Sequence, residues 1–391
     1  MDRMAIISVD GHVKASRAGY RDYFEQRYLG AFDDWVQVQE DAGAPDAGNL
    51  NPDFGVDSQW DSDKRVHELE QVGVVAEVLF PNGVPFQASR LDDAGASRNA
   101  ELDRQARLAY NRWLADFCAA EPGRRAGQAL ISFDDDVDIV VADIQWAKEH
   151  GLGGVMMPPL NPGGTFFFDP ALDPVWAACR DTGLPISQHG GTGAPMYNPP
   201  GFASIITLAM EHSFFSGRSL WQMMAGGVFD RFPELRIVFV ETEAYWMKPM
   251  IDRLEQFVGV GSDWMDFARS IDRSSTMQQS PRVYWAENCY AGLSPFTSSM
   301  TSLDDLARDD DVTGSDFFIG ADKAMFGVDY PHFESIIGSV TPTLAELGAH
   351  PAITDEHARK LLYENAAQVY GFDLTGLQPH IDRVGFDLQA A

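Results

Sequence analysis

Short apolar runs alternate with longer amphipathic stretches along almost the whole chain. Ala5–Val9, Val75–Phe80, Ala126–Ser132, Gly154–Met157, Leu184–Ser187, Arg236–Phe239, Val283–Tyr290 and Met325–Val328 each read as a buried strand. The stretches between them carry helical signals. Asp61 caps a helix running through Glu68 to Val72. Ser97 can cap the next, where Leu102, Ala106, Ala109, Tyr110, Trp113, Leu114 and Phe117 recur at helical spacing until Pro122 ends it. The Asp134-Asp135-Asp136 run opens a helix that Gly151 closes. Further helices are expected over Pro170–Thr182, from about Ala203 to Phe229, and over Tyr245–Val258, with two more, about Phe333–Leu347 and Asp355–Tyr370, at the C-terminal end. Eight strands separated by helices, with no internal change of composition, predict one (β/α)8 TIM barrel domain over residues 1–391.

Two stretches are long for ordinary connections, about 13–59 after the first strand and about 293–322 after the seventh. The first holds Tyr20, Tyr23, Phe24, Tyr28, Phe32 and Trp35, too many aromatics for a plain solvent loop. Both are expected to fold over the barrel mouth.

Composition narrows the possible partners. The net charge is −29, from 58 acidic against 29 basic residues, so the surface repels nucleic acid and anionic lipid, and neither is expected as a partner. Cys118, Cys179 and Cys289 show no CxxC spacing and read as buried thiols in a reducing compartment. The apolar stretch near Met1 is too short for a signal peptide, and no run is long enough to span a bilayer. A cytoplasmic protein acting on a small molecule is expected, with assembly into a homo-oligomer left open.

The candidate chemistry sits just after strands. Asp10 and His12 are two apart at the end of the first, so they project to one face, the barrel interior. His189 follows the fifth strand, with Gly190-Gly191 allowing close approach, and Asp329 ends the eighth. A lone strand-end histidine is more often a hydrogen-bonded core residue than a ligand. Four such residues on three strands favour a divalent cation, since buried carboxylates and imidazoles need a partner. Two histidines with one or two carboxylates suit zinc, with manganese or iron(II) as alternatives.

The segments Ile7-Ser8-Val9-Asp10-Gly11-His12-Val13, Gly183 through Gly191, Gly227 through Val238, Phe326 through His332 and Glu364-Asn365-Ala366-Ala367 occur in that order. Through them the chain resembles the amidohydrolase superfamily, specifically its second large family, that of aminocarboxymuconate-semialdehyde-decarboxylase-like enzymes. The resemblance implies a (β/α)8 barrel, a single divalent metal, and hydrolysis or non-oxidative decarboxylation. Two positions depart from the family's pattern. Asp10 stands where a histidine is common, so it ligates directly or through water. Glu241, ending the sixth strand, stands where many members carry a histidine that activates water or protonates substrate. Glu241 can be a general acid or base if burial raises its pKa, or an acceptor for a buried arginine. No lysine follows the fourth strand (Val155-Met156-Met157-Pro158-Pro159), so the carboxylated-lysine bridge of two-metal relatives cannot form and one metal is expected.

His12, His189 and Asp329, with Asp10, are therefore the expected ligands, and Asp329, Glu241 and His332 the expected catalytic residues. His332 could enter the pocket or orient a ligand; His212 could face the mouth or solvent. Phe166, Phe167, Phe168, Tyr197, Trp246 and Tyr330 could line an apolar pocket. The expected function is a mononuclear metal-dependent enzyme that decarboxylates an aromatic or unsaturated carboxylate. The alternatives are hydrolysis of an ester, lactone or amide, and a barrel kept only as a binding module, which an intact ligand set disfavours.

Overall fold

In the computed structural model of the chain, eight strands follow one another around a single sheet: β1 (Ile6–Val13), β2 (Val74–Pro81), β3 (Arg125–Leu130), β4 (Gly154–Met156), β5 (Ile186–His189), β6 (Ile237–Val240), β7 (Cys289–Leu293) and β8 (Ala324–Phe326). Every neighbouring pair is parallel. The structure describes residues 3–46, 50–51, 53–86, 99–133, 135–157, 166–191, 201–259, 262–271, 277–296, 302–308 and 319–388. Just past β8, Tyr330 bridges Gly11 in parallel, His12 N–H donates to the Tyr330 carbonyl at 2.7 Å, and Asp329 N–H donates to the Asp10 carbonyl at 3.2 Å. The sheet thereby closes on itself as a (β/α)8 barrel, which removes exposed strand edges.

Two apolar layers hold the barrel. Inside, Ile7, Val9, Val78, Phe80, Val238, Val240 and Met325 pack with Ala366, Val369, Tyr370, Leu377 and Ile381, which plug the N-terminal end. Outside, Leu114, Ile144, Trp176, Phe239 and Trp285 pack between strands and helices. Each such fully buried side chain contributes about 1.5–3 kcal/mol. The helix Leu374–Val384, which supplies part of the plug, has no counterpart in the sequence reading.

Most expected elements occur within a few residues of their anticipated bounds. Strand seven is the main correction. Val283–Asn288 is helical, part of Pro281–Asn288, and the strand is Cys289–Leu293. Ser280 accepts from Val283 N–H and Pro281 opens the first turn, an N-terminal signal that the apolar run Val283–Trp285 concealed. The helix expected at Phe333 begins only at Val340, after a short 3-10 turn, Ile337–Ser339. The long helix after β5 is Phe202–Ala225, broken by Gly226-Gly227 before Val228–Arg231. Asn99 caps the helix Ala100–Ala119, while Ser97, Asp134, Pro158, Pro159 and Tyr197 lie outside the described residues.

The stretch after β1 does lie against the C-terminal face. Tyr20 donates to the Gly83 carbonyl beyond β2 at 3.0 Å. Asn51 N–H donates to the Pro331 carbonyl at 2.9 Å, and the Phe54 ring lies 4.9 Å from that of Tyr330. Tyr20, Phe24 and Phe32 are buried, as their apolar bulk requires. Of the second insertion, residues 297–301 and 309–318 lie outside the described residues.

Candidate metal centre

A β-bulge aims the first two side chains. Between Ser8 and Gly11, β1 advances three residues while β2 advances only two, from Glu77 to Leu79. Strict alternation from Ile7 and Val9 would turn Asp10 and His12 outward; the extra residue resets the parity and brings both into the mouth. Gly11 is left facing the other way. A Cβ there would meet the Arg65 guanidinium at 2.7 Å and the Glu77 carboxylate at 3.0 Å, so only glycine fits.

Beneath Gly11 lies a buried ion pair. Arg65 is fully buried and donates through Nε and Nη2 to Glu77 at 2.8–3.0 Å. Its Nη1 also donates to the His12 carbonyl at 2.9 Å, and its Nη2 to the Tyr330 carbonyl at 3.3 Å. One guanidinium thus ties β1 to the chain after β8 and fixes the backbone on both sides of the cluster.

The ligand-type atoms converge. His12 Nε2 lies 3.2 Å from Asp10 Oδ1 and 3.3 Å from Asp329 Oδ1. His189 Nε2 lies 3.4 Å from Asp10 Oδ1. The other ring nitrogens fix the tautomers. His12 Nδ1 faces the Pro81 carbonyl at 3.3 Å and His189 Nδ1 the Gly190 carbonyl at 3.1 Å. Carbonyls only accept, so in each neutral ring Nδ1 carries the hydrogen and Nε2 is the atom that faces the carboxylates. Asp10 Oδ2, His12 Nε2 and both Asp329 oxygens are buried with no hydrogen-bond partner. Atoms spaced this way match the edges of a coordination shell with bonds of about 2.0–2.2 Å. The residues present therefore fit a divalent cation, and the orphaned atoms are what it would satisfy.

Glu241 and Asp329 are set by backbone conformation. Both sit in the left-handed region, at φ 53° and 56°, where non-glycine residues are strained. In β6, Val238 and Val240 face inward, so Glu241 would face outward by alternation; the reversed φ returns its carboxyl to the mouth, 3.3 Å from His189 Nδ1. Its carbonyl fills the space a side chain on residue 190 would need, with a Cβ there coming within 2.0 Å. His332 also joins the cluster, its ring stacked on His12 at 3.7 Å and its Nδ1 3.0 Å from Asp329 Oδ1.

Charge and burial compete throughout. Burial works against the Asp10 carboxylate, but the His12 and His189 imidazoles outweigh it and hold its pKa well below the usual range. Burial likewise opposes a charged His12, yet Asp10 and Asp329 raise its pKa well above the ordinary value. His332 is pushed down by burial and by its neighbour His12. Burial, and then the negative charges of Asp329 and Asp10, push Glu241 well above the usual carboxylate range.

The structure thus brings together all six residues singled out in the sequence: Asp10, His12, His189, Glu241, Asp329 and His332. Among the described residues no arginine donates to Glu241; Arg65 uses Glu77. His212 stays apart, its Nδ1 at 2.9 Å from the Ala209 carbonyl of its own helix. Sequence reasoning missed Arg65, Glu77, Asn82 and Glu334. Glu77 left one legible trace, a charge within the otherwise apolar run Val74–Phe80. Glu334, two residues beyond His332, joins a group with Glu241, Asp329 and His332 whose ligand atoms lie within 4.8 Å of one another.

Comparison with known proteins places this geometry in context. The amidohydrolase family model, described as "Amidohydrolase", matches residues 10–372. No curated protein matches the chain. Among solved structures, an amidohydrolase from Mycobacterium avium subsp. paratuberculosis K-10 shares 17% identity at a TM-score of 0.64, covering 95% of this chain and 99% of that one. The 5-carboxyvanillate decarboxylase of Sphingomonas paucimobilis shares 16% identity at a TM-score of 0.58, covering 94% and 99%. A dihydroxybenzoic acid decarboxylase of a Polaromonas species, solved with manganese and the inhibitor 2-nitroresorcinol, shares 15% identity at 0.56, covering 95% and 97%. At these identities the likeness is one of fold.

Proposed function

The chain belongs to the amidohydrolase family, and from that premise we propose that it is a divalent-metal-dependent decarboxylase of an aromatic or unsaturated carboxylate. Asp10, His12, His189 and Asp329 would hold the ion. When bound, the ion supplies Lewis acidity toward substrate oxygens. Zinc, manganese and iron(II) all suit a set of imidazoles and carboxylates, and manganese is the ion present with the Polaromonas decarboxylase.

The observation that carries the reading is Glu241. Burial and the neighbouring Asp329 and Asp10 charges push the Glu241 carboxyl toward its neutral form, so it holds its proton to higher pH than an ordinary glutamate. It sits at the mouth with about a quarter of its side chain exposed, at 23%. Such an acid can deliver its proton to the substrate carbon that bears the carboxylate. The bond to the carboxyl carbon then breaks, its electron pair restores the unsaturated system, and CO2 leaves. Glu241 regains a proton from solvent. His189 Nδ1, 3.3 Å away, orients the Glu241 carboxyl. Aromatic carboxylates or their analogues are named with several of the structural neighbours, which supports this substrate class.

The test is incubation of manganese- or zinc-loaded protein in D2O with a panel of hydroxybenzoates and unsaturated dicarboxylates. Release of CO2 with one deuterium at the vacated carbon is expected. Hydrolysis of esters or lactones with no CO2 from any acid would overturn the reading in favour of a hydrolase.

A further inference from the structure

We propose that Lys14 determines specificity: its ammonium binds a second anionic group of the substrate, remote from the carboxylate that is lost. The inference rests on the carboxylate-substrate reading and narrows it to acids with two anionic groups. Lys14 is one of six lysines in a chain of net charge −29. It is the one of the six that is buried, its side chain 8% exposed.

The parity of β1 aims this side chain. Past the bulge Asp10 and His12 face the mouth, while Gly11 and Val13 face the outer layer. One more step returns Lys14 to the mouth side, about 7 Å beyond His12 along the chain. There its Cδ lies 3.5 Å from the place a Cβ on Gly83, past the end of β2, would take. Its Nζ stands 5.4 Å from the centre of the Trp60 ring. In a closed barrel of eight strands β2 stands opposite β6. Lys14 and Glu241 therefore belong to opposite sides of the mouth, so a substrate protonated at one side reaches the other with its far end.

The ammonium has hydrogen bonds to spare. An ammonium carries three N–H groups, and among the described residues Lys14 Nζ meets one acceptor, the Asp46 carboxylate. That carboxylate is itself shared. Arg17 N–H donates to Asp46 Oδ2 at 2.7 Å, while the Arg17 guanidinium donates to the Ala44 carbonyl at 2.8 Å. Two cations bordering one carboxylate leave one positive charge on this side of the mouth. Arg65, the other cation beside β1, lies under Gly11 and is taken up by Glu77. A divalent ion held by Asp10 and Asp329, with Glu241 protonated, forms a neutral centre. A second anionic group therefore gains little field from that centre in a protein whose surface repels anions, and Lys14 supplies the attraction.

The test is binding at equilibrium, which needs no turnover and so stands apart from the test for CO2 release. Manganese-loaded protein is titrated calorimetrically with salicylate and with 2- and 4-hydroxyisophthalate, each of which is salicylate with one further carboxylate. At least one hydroxyisophthalate should bind about tenfold or more tighter than salicylate. Lys14→Met should abolish that preference while salicylate affinity and metal content stay within about twofold, and Lys14→Arg should keep most of it. Asp46→Asn removes the competing carboxylate and should strengthen the preference, which keeps the inference testable should Lys14→Met fail to fold. Equal binding of the three acids, or binding of none, overturns the inference, as does a preference that survives Lys14→Met. So does an Asp46→Asn protein that melts earlier with no gain in preference, because Lys14 and Asp46 would then be a strut between β1 and the insertion. A protein that releases no CO2 yet shows the Lys14-dependent preference would sink the decarboxylase reading and keep the anion site.

Discussion

Arg65 and Glu77 form an ion pair shut away from water directly under the backbone of the candidate ligands. Removing Arg65 leaves the buried Glu77 only the longer, 3.7 Å contact with Arg125, and breaking such a pair costs about 3–5 kcal/mol. Arg65→Met should therefore lower the melting temperature sharply. It should also weaken metal binding by about 10–100-fold, because the His12 and Tyr330 carbonyls lose their common donor. Calorimetry and a metal titration read the two effects separately. A variant with wild-type melting and wild-type metal affinity would reduce the pair to filler.

Metal affinity should depend on pH through His12. In metal-free protein its pKa is raised, chiefly by Asp10 and Asp329 acting against burial, so below that pKa an ion must expel the Nε2 proton. Affinity should then rise about tenfold per pH unit for each proton released, and level off once His12 is neutral. Asp10, held well below the usual range, stays ionised throughout and adds no slope. Titration calorimetry in buffers of different ionisation enthalpy counts the protons; a flat affinity across the neutral range would refute the competition.

Glu241→Gln keeps the shape and deletes the proton. Turnover should fall by about 10²–10⁴-fold with metal content and melting temperature retained. In the unsubstituted protein, activity should decline as pH rises through the elevated pKa of Glu241, because the protonated form is the active one. A fully active glutamine variant would pass the proton transfer to Asp329 or His332.

Much of this site was legible because its residue types are rare at strand ends and recur in order. Asp10, His12, His189 and Asp329 could be named from their positions after apolar runs, and Glu241 from its departure from a histidine. Their aim could not be read. Alternation from Val9 predicts the wrong face for both Asp10 and His12 unless the bulge is known, and alternation from Val240 predicts the wrong face for Glu241. Bulges and left-handed residues reset parity without a composition signal of their own. Arg65 and Glu77 escaped for another reason. They are twelve residues apart on a helix and a strand, and only the closed barrel shows that both meet the missing side chain of Gly11. Strand seven failed where the cap at Ser280 was overlooked in favour of the apolar run after it.

Gly190→Ala should disturb the site more than its size suggests. The added methyl would fall 2.0 Å from the Glu241 carbonyl oxygen, so the backbone must move. A loss of about 1–3 kcal/mol in stability is expected, with a larger fall in turnover than in metal content. Denaturant melts and elemental analysis check both; an alanine variant of unchanged activity would mean that the β5–β6 contact can relax freely.

That contact also limits how the mouth can be rewritten. The left-handed turn at Glu241 occupies room that exists only because residue 190 has no side chain. The two positions, 51 apart in sequence, therefore form one heritable unit. A lineage drifting from glutamate toward histidine at 241 is free to fill 190 only if its backbone turn also changes. A designer who transplants the glutamate into a relative must carry the glycine with it. Exchanges scored one site at a time would report both residues as intolerant and miss that the constraint lies between them.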